Sequence, residues 1–247
     1  MITTEERGRV ALVRIDRHEQ RNALDIEHCE ALRDALGDVH AAGARAIVVT
    51  GEGSSFCAGA DFGEVYGDGF RKALYEMLRR ITTMPVPVLA AVNGPAIGAG
   101  SQLALAADLR MVAPGASFAI PTAMLGLAVD PWTVRRLALL AGGGNARRIL
   151  LTCEPLSADE ALTCGLADAG GDLDAALERA ARIAGLAPLT LAYSKAVLNR
   201  LAFSGMADLD VADPVVDALF EEVWRSADVA EGRAARQERR APRFEGR

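Results

Sequence analysis

Between Ile81 and Ala107 the sequence carries no charged residue, and this run limits what the chain can become more than any other feature. An apolar stretch of that length must be buried, either in lipid or in protein. Its punctuation decides between the two. Pro85 and Pro87 precede a short apolar segment, Asn93-Gly94-Pro95 is a turn, and Gly98 and Gly100 open a helix. A membrane-spanning helix does not accommodate those breaks, so the run reads as strand, turn and helix start inside a globular core. With 247 residues and 51% hydrophobic content, the chain buries a substantial core, as one large domain or one domain with an appendage.

The segments on either side fit that reading. Strand-like runs at Val10 to Ile15, Ala46 to Thr50, Val86 to Val92, Leu109 to Val112 and Ser117 to Ala119 alternate with helical patterns near 25–36, 69–81 and from Ala99. Strands alternating with helices predict an α/β fold with a buried, largely parallel sheet. From Pro131 onward strand signals nearly vanish and helices are expected at 131–140, 144–152, 157–164, 173–187 and beyond Leu189. Ser157-Ala158-Asp159-Glu160 has the form of a capping box, with Gly165 as the stop. The helical tail is expected to pack on the core or on another subunit.

The net charge of -6, with basic clusters mainly near the C-terminus, gives no groove for nucleic acid, so a polyanionic partner must be small. Cys29, Cys57, Cys153 and Cys164 have no CxxC spacing, and the first residues are charged rather than signal-like, which points to a reducing cytoplasm. His18, His28 and His40 form no metal spacing, and no metal or separate cofactor is expected.

The chemistry-bearing residues lie in two loops of the same construction. Gly51 to Asp61 follows the strand Ala46 to Thr50, and its small residues Ala58, Gly59 and Ala60 let a ligand approach the main chain. Asp61 and Glu64 have capping-box spacing. Taken alone, this loop is as readily a plain strand-to-helix turn. The second loop, Asn93 to Gly100, also leaves a strand and places the Ala99 amide at a positive helix N-terminus. Two such amides converging on one oxygen form an oxyanion hole of the kind that stabilises a thioester enolate.

On Arg21-Asn22-Ala23-Leu24, Phe56-Cys57-Ala58-Gly59-Ala60-Asp61, Val92 to Gly100, Pro121 with Gly126-Leu127, and Arg135-Arg136-Leu137, the chain resembles the enoyl-CoA hydratase/isomerase, or crotonase, superfamily. The resemblance runs through Leu151-Thr152 to Arg240-Ala241-Pro242-Arg243-Phe244. It implies a spiral of ββα turns over residues 1–190, and a helical region over 191–247 that assembles homotrimers or hexamers. It also implies oxyanion amides at Ala58 and Ala99, and an acyl-CoA ligand along Phe56, Ala58 to Asp61, Gly98 and Ala99, with coenzyme A present only as part of that ligand. Arg21 would meet a CoA phosphate, as would the tail around Arg239, Arg240 and Arg243, against the commoner meaning of a solvated face. Trp132 is equally well an acyl-pocket wall or a core residue.

The sequence departs from the hydratase pattern where hydration needs its acid and base. The resemblance puts the two glutamates of hydratases at Gln102 and Thr122, and neither side chain transfers a proton near neutral pH. Actinobacterial paralogues that lack both glutamates are similar in this respect. Asp130, in Leu125 to Asp130, stands where dienoyl-CoA isomerases of the family carry an aspartate, but just before Pro131 it also has the placing of a helix cap. Cys57 reads as apolar filler, having no evident base. Three functions follow: an acyl-CoA binder in fatty-acid metabolism with little or no hydratase activity; an enoyl-CoA hydratase or isomerase of β-oxidation using Asp130; or a structural partner of an active paralogue.

Overall fold

The computed structural model describes residues 1–61, 63, 68–201, 215, 218, 221, 222 and 225–247. Its main sheet has six strands in the order β1-β2-β3-β4-β6-β9: β1 (Ile2–Arg7), β2 (Val10–Ile15), β3 (Ala46–Gly51), β4 (Val88–Val92), β6 (Leu109–Val112) and β9 (Ala169–Gly170). β1 and β2 pair antiparallel and every other neighbour in this sheet is parallel. β3 and β4 are buried along their whole length, as the continuous apolar runs require when a parallel sheet is covered on both faces. The strands alternate between two cores. Ala11, Val13, Ile47 and Val49 face one, while Val10, Leu12, Ala46 and Val48 face the other under α6 (Leu173–Ala184).

A second, small sheet, β5-β7-β8, consists of β5 (Pro95–Ile97), β7 (Ser117–Ala119) and β8 (Leu156–Ser157). Each turn of the chain thus adds a strand to the large sheet, a short strand to the small one, and a helix: β4, β5 and α3 (Ala99–Ala106) make one such turn. In the preceding turn the short strand is reduced to two parallel bridges, Cys57 with Ala96 and Leu24 with Ala60, before α2 (Asp68–Thr83). This is the ββα spiral that the family resemblance implies. The uncharged run is the end of α2, then β4, β5 and α3, and no described helix is long and apolar enough to cross a membrane.

The elements follow the expected pattern with physical exceptions. β1 was not foreseen, because it is an edge strand whose charged residues face solvent. β4 begins at Val88 rather than Val86, since Pro87 has no amide to donate and the Val88 amide is taken by Asp108 at 2.8 Å. The two helices expected over 131–152 form one interrupted column. α4 (Pro131–Arg147) turns at Gly142, where φ is 77°, and continues into a π-helical turn at Arg148–Thr152. α1 (Ile26–Ala41) is capped by Asp25, and α5 (Ala158–Cys164) by the Ser157–Glu160 capping box. α7 (Pro188–Leu201) spans the division expected at residue 190, and α8 (Ala227–Glu238) precedes the tail. Expected helical structure between 202 and 214 lies outside the described residues.

The C-terminal segment is tied back onto the fold. Asp228 accepts the amides of Glu245 and Gly246 at 2.7 and 2.9 Å, and Arg45 donates to the Phe244 carbonyl at 2.8 Å. Arg240 of the basic tail is engaged by Glu231 at 2.5 and 2.9 Å, so this guanidinium serves the tail's own docking.

Candidate functional site

The first loop is held open by two asparagines. Asn22 is fully buried and left-handed, with φ at 60°; its Nδ2 donates to the carbonyls of Glu52 and Ser55 at 2.9 and 2.7 Å, and its Oδ1 accepts the Arg17 amide at 3.0 Å. Asn93, leaving β4, donates to the Gly53 carbonyl at 2.8 Å. Both are structural keys that the residue pattern did not single out. The signal available was their type: asparagine tolerates left-handed backbone and satisfies loop carbonyls.

The two loops meet through glycines. A side chain at Gly94 would run into the backbone of Ser54, and one at Gly100 into the backbone of Cys57. At Gly59 a Cβ would come 2.8 Å from the Ile97 carbonyl oxygen and 3.7 Å from the Ala99 nitrogen. Small residues in these loops therefore bring two stretches of main chain into contact, and leave amides rather than side chains lining the junction.

Which amides are available differs from expectation. The Ala58 amide donates to the Arg21 carbonyl at 3.0 Å, so the expected oxyanion donor is already spent inside the fold. Gly59, at φ 103°, then reverses the alternation of the strand. Leu24 takes the Gly59 carbonyl at 2.8 Å and receives the Asp61 amide at 2.7 Å, which turns the intervening Ala60 amide away from Leu24. Among the described residues no acceptor meets that amide. Ala99 is the first residue of α3, entered through Gly98 at φ 54°, and its amide is one of the unpaired donors of a helix N-terminus. Ala60 on one loop and Ala99 on the other therefore each carry an amide with no acceptor among the described residues.

Other expected contacts are also redistributed. The Phe56 side chain is 0% exposed and belongs to the core, so it cannot touch a ligand. Asp61 pairs with Arg17 at 3.0 Å, and Arg17 also meets Asp25 at 3.3 Å. The Asp61 carboxylate accepts the Gly63 amide at 3.0 Å, while Glu64, its expected capping partner, lies outside the described residues. Arg21 is exposed, with left-handed backbone at φ 52°. Burial pushes the Cys57 thiol up to about 12, which leaves it protonated and unreactive, consistent with filler.

One turn beyond Ala99, the side chain of Gln102 is 4% exposed. Its amide nitrogen donates to Asp130 Oδ2 at 3.2 Å and to Thr133 Oγ1 at 2.9 Å. Asp130 is the N-cap of α4: Oδ1 accepts the Thr133 amide at 3.1 Å, and Oδ2 accepts the Thr133 hydroxyl at 2.6 Å. It also faces a cavity of about 790 Å³ lined by Tyr75, Leu78, Met84, Pro85, Trp132, Ala192 and Ala196 among others. Cap and cavity wall are thus one residue. Trp132 likewise combines its two readings, lining the cavity while packing on the core. Thr122 sits in the 3₁₀ turn Pro121–Leu125, where its carbonyl accepts the Leu127 amide at 3.0 Å.

The cavity lining also includes Lys195. Lys195 is buried against Asp108 at 2.7 Å and the Val86 carbonyl at 2.9 Å, and desolvation lowers its pKa despite that carboxylate. Outside the cavity lining, Arg110 is 1% exposed and pairs with Asp168 at 3.1 Å. Among the described residues no group of three or more His, Cys, Asp or Glu is placed to hold a metal.

A ββα spiral in which two loops leaving parallel strands meet main chain to main chain defines the architectural class of the protein. Residues 5–247 match the family model for enoyl-CoA hydratase/isomerase. The chain belongs to that family, and its architecture is the crotonase fold. It is 44% identical over 242 residues to the probable enoyl-CoA hydratase echA6 of Mycobacterium leprae, covering 96% of each chain. It is 43% identical, across the full length of both chains, to the protein of the same description from Mycobacterium tuberculosis. Among solved structures, a putative enoyl-CoA hydratase/isomerase family protein from Hyphomonas neptunium superposes with a TM-score of 0.89 at 28% identity, covering 100% of this chain and 98% of that one.

Proposed function

We propose that this protein binds fatty acyl-CoA thioesters, holding the thioester carbonyl on the Ala60 and Ala99 amides, and that it hydrates enoyl-CoA little or not at all. The observation that carries the reading is the state of Gln102: a neutral side chain whose two amide protons are bound to Asp130 and Thr133 stands one turn from Ala99. Neither it nor Thr122 supplies the proton transfer that a positioned acid or base contributes, typically worth about a hundred- to ten-thousand-fold each. The cavity beside Trp132 gives an acyl chain an apolar space. Gly59, Ala60 and Asp61 flank the thioester in this reading, and Arg21 is exposed on the same loop system for a CoA phosphate.

The alternative is turnover as an enoyl-CoA hydratase or isomerase with Asp130 as the single acid or base. It is favoured by the names of the mycobacterial relatives and by the place of Asp130 on the cavity wall. Against it, three donated hydrogen bonds already hold that carboxylate. Incubation with crotonyl-CoA, followed by loss of the enoyl absorbance, separates the two. The binder gives at most a trace of turnover while calorimetry records acyl-CoA binding; a rate ordinary for a hydratase overturns it.

Assembly as a homotrimer, or a hexamer of paired trimers, is part of this proposal. Met124 and Leu151, on turns that contact each other, are 77% and 75% exposed, and a second copy would cover them. Light scattering on the purified chain reads the copy number.

A further inference from the structure

We propose that Asp130 and Thr133 act as positioning residues that fix the polarity of the Gln102 amide, so that its carbonyl selects acyl chains bearing a hydrogen-bond donor near the thioester, a 3-hydroxyacyl group foremost. The proposal rests on the acyl-CoA reading above and deepens it.

A glutamine side chain offers a donor end and an acceptor end, and its surroundings decide which faces a ligand. Here the choice is forced. The Asp130 carboxylate only accepts, so the nitrogen of Gln102 must face Oδ2, at 3.2 Å. Thr133 has a single hydroxyl proton and spends it on the same Oδ2 at 2.6 Å, so its oxygen faces Gln102 as an acceptor, at 2.9 Å. Both Gln102 protons are consumed. Asp130 cannot swing aside, because its other oxygen caps α4 through the Thr133 amide and Pro131 begins that helix. Gln102 Oε1 is therefore turned away from α4.

That oxygen has no donor among the described residues, in a side chain that is 4% exposed, yet it is not among the atoms sealed from solvent without a partner. A carbonyl shut away from water without a donor is destabilising, so it wants one from whatever fills the adjoining space. Gln102 follows Ala99 by three residues and shares its helix face, about one turn away. With the thioester carbonyl on the Ala99 amide, a substituent two carbons along the chain comes within reach of Oε1. A saturated or enoyl chain presents only C–H there. A 3-oxo group presents a second acceptor and is repelled; a 3-hydroxyl presents the missing donor.

The test is calorimetric titration of the full-length protein with octanoyl-CoA, the two enantiomers of 3-hydroxyoctanoyl-CoA, 3-methoxyoctanoyl-CoA and 3-oxooctanoyl-CoA. One hydroxy enantiomer should bind about five- to tenfold more tightly than octanoyl-CoA, as one net hydrogen bond provides. The methoxy chain, which lacks the proton, should gain nothing, and the oxo chain should bind more weakly than octanoyl-CoA. Asp130→Asn keeps a cap oxygen for the Thr133 amide but presents a donor where Oδ2 stood, which lets Gln102 turn over. In that variant the hydroxyl preference should vanish and the 3-oxo chain should gain, a reversal that general loosening does not produce. Equal binding of octanoyl and both hydroxy chains by the wild type overturns the proposal alone, as does an Asp130→Asn variant that retains the hydroxyl preference. Failure of octanoyl-CoA to bind at all removes the acyl-CoA reading, and this proposal with it.

Discussion

Gly100 lies directly against Cys57: a Cβ on residue 100 would fall 2.9 Å from the Cys57 Cβ and closer still to the Cys57 carbonyl oxygen. This contact clamps the first turn of α3 to the loop that carries Ala60, so the spacing of the two proposed donor amides depends on the absence of one methyl group. Gly100→Ala should lower stability by about 1 to 3 kcal/mol through overpacking and weaken acyl-CoA binding together with it. Gly144→Ala, where a Cβ meets nothing within 4 Å, is the comparison, and should leave both unchanged or raise stability slightly. Thermal denaturation and calorimetry of the two variants check this; equal behaviour contradicts it.

Asn22 ties together three backbone groups of two separate segments. Asn22→Ala leaves the buried Ser55 carbonyl and the part-buried Glu52 carbonyl without that donor, and also removes a residue suited to left-handed φ. A loss of about 2 to 4 kcal/mol is expected in denaturant unfolding, since a stranded buried polar group costs about 1 to 3 kcal/mol by itself.

Lys195 joins α7 to the central sheet through a buried ion pair. Lys195→Met leaves the Asp108 carboxylate with the Val88 amide as its hydrogen-bond donor and with Arg110 and Arg136 as the nearby cations, and should cost somewhat less than the about 3 to 5 kcal/mol of a buried pair broken with no other cation at hand. Arg7→Ala breaks an ion pair of similar length with Glu5 that is fully solvated, and should move the unfolding midpoint little. A comparable shift for both contradicts the ranking.

Acid stability carries a signature from Glu160. A hydrogen bond from Arg148, followed by the Ser157 amide, holds its carboxyl at about 2, below its ordinary 4.5. A carboxylate depressed in the folded state contributes stability that is fully present above the unfolded value and is lost as pH falls toward the folded one. The gap in melting temperature between wild type and Glu160→Gln should therefore stay constant from pH 7 to about 5 and close between 4.5 and 2. A gap that persists at pH 2 shows that the side chain acts otherwise.

Much of this was readable from residue order. The uncharged run from Ile81 to Ala107, with its prolines and glycines, dictated strand, turn and helix. Two glycine-bearing loops after apolar strands marked where two stretches of main chain come into contact, and the Ser157 capping box and the Asp130–Pro131 helix start formed as expected. Those are local matters of propensity, periodicity and backbone freedom. Only the tertiary structure decided which amide remains free, because the reversal at Gly59 depends on Arg21 and Leu24 arriving alongside to take the Ala58 and Asp61 amides. It also decided the orientation of Gln102, set by Asp130 and Thr133 across a separation of 28 and 31 residues. Hydrogen-bond partners far apart in sequence leave no periodic signal, and an amide's polarity is fixed by whichever groups the fold brings to face it.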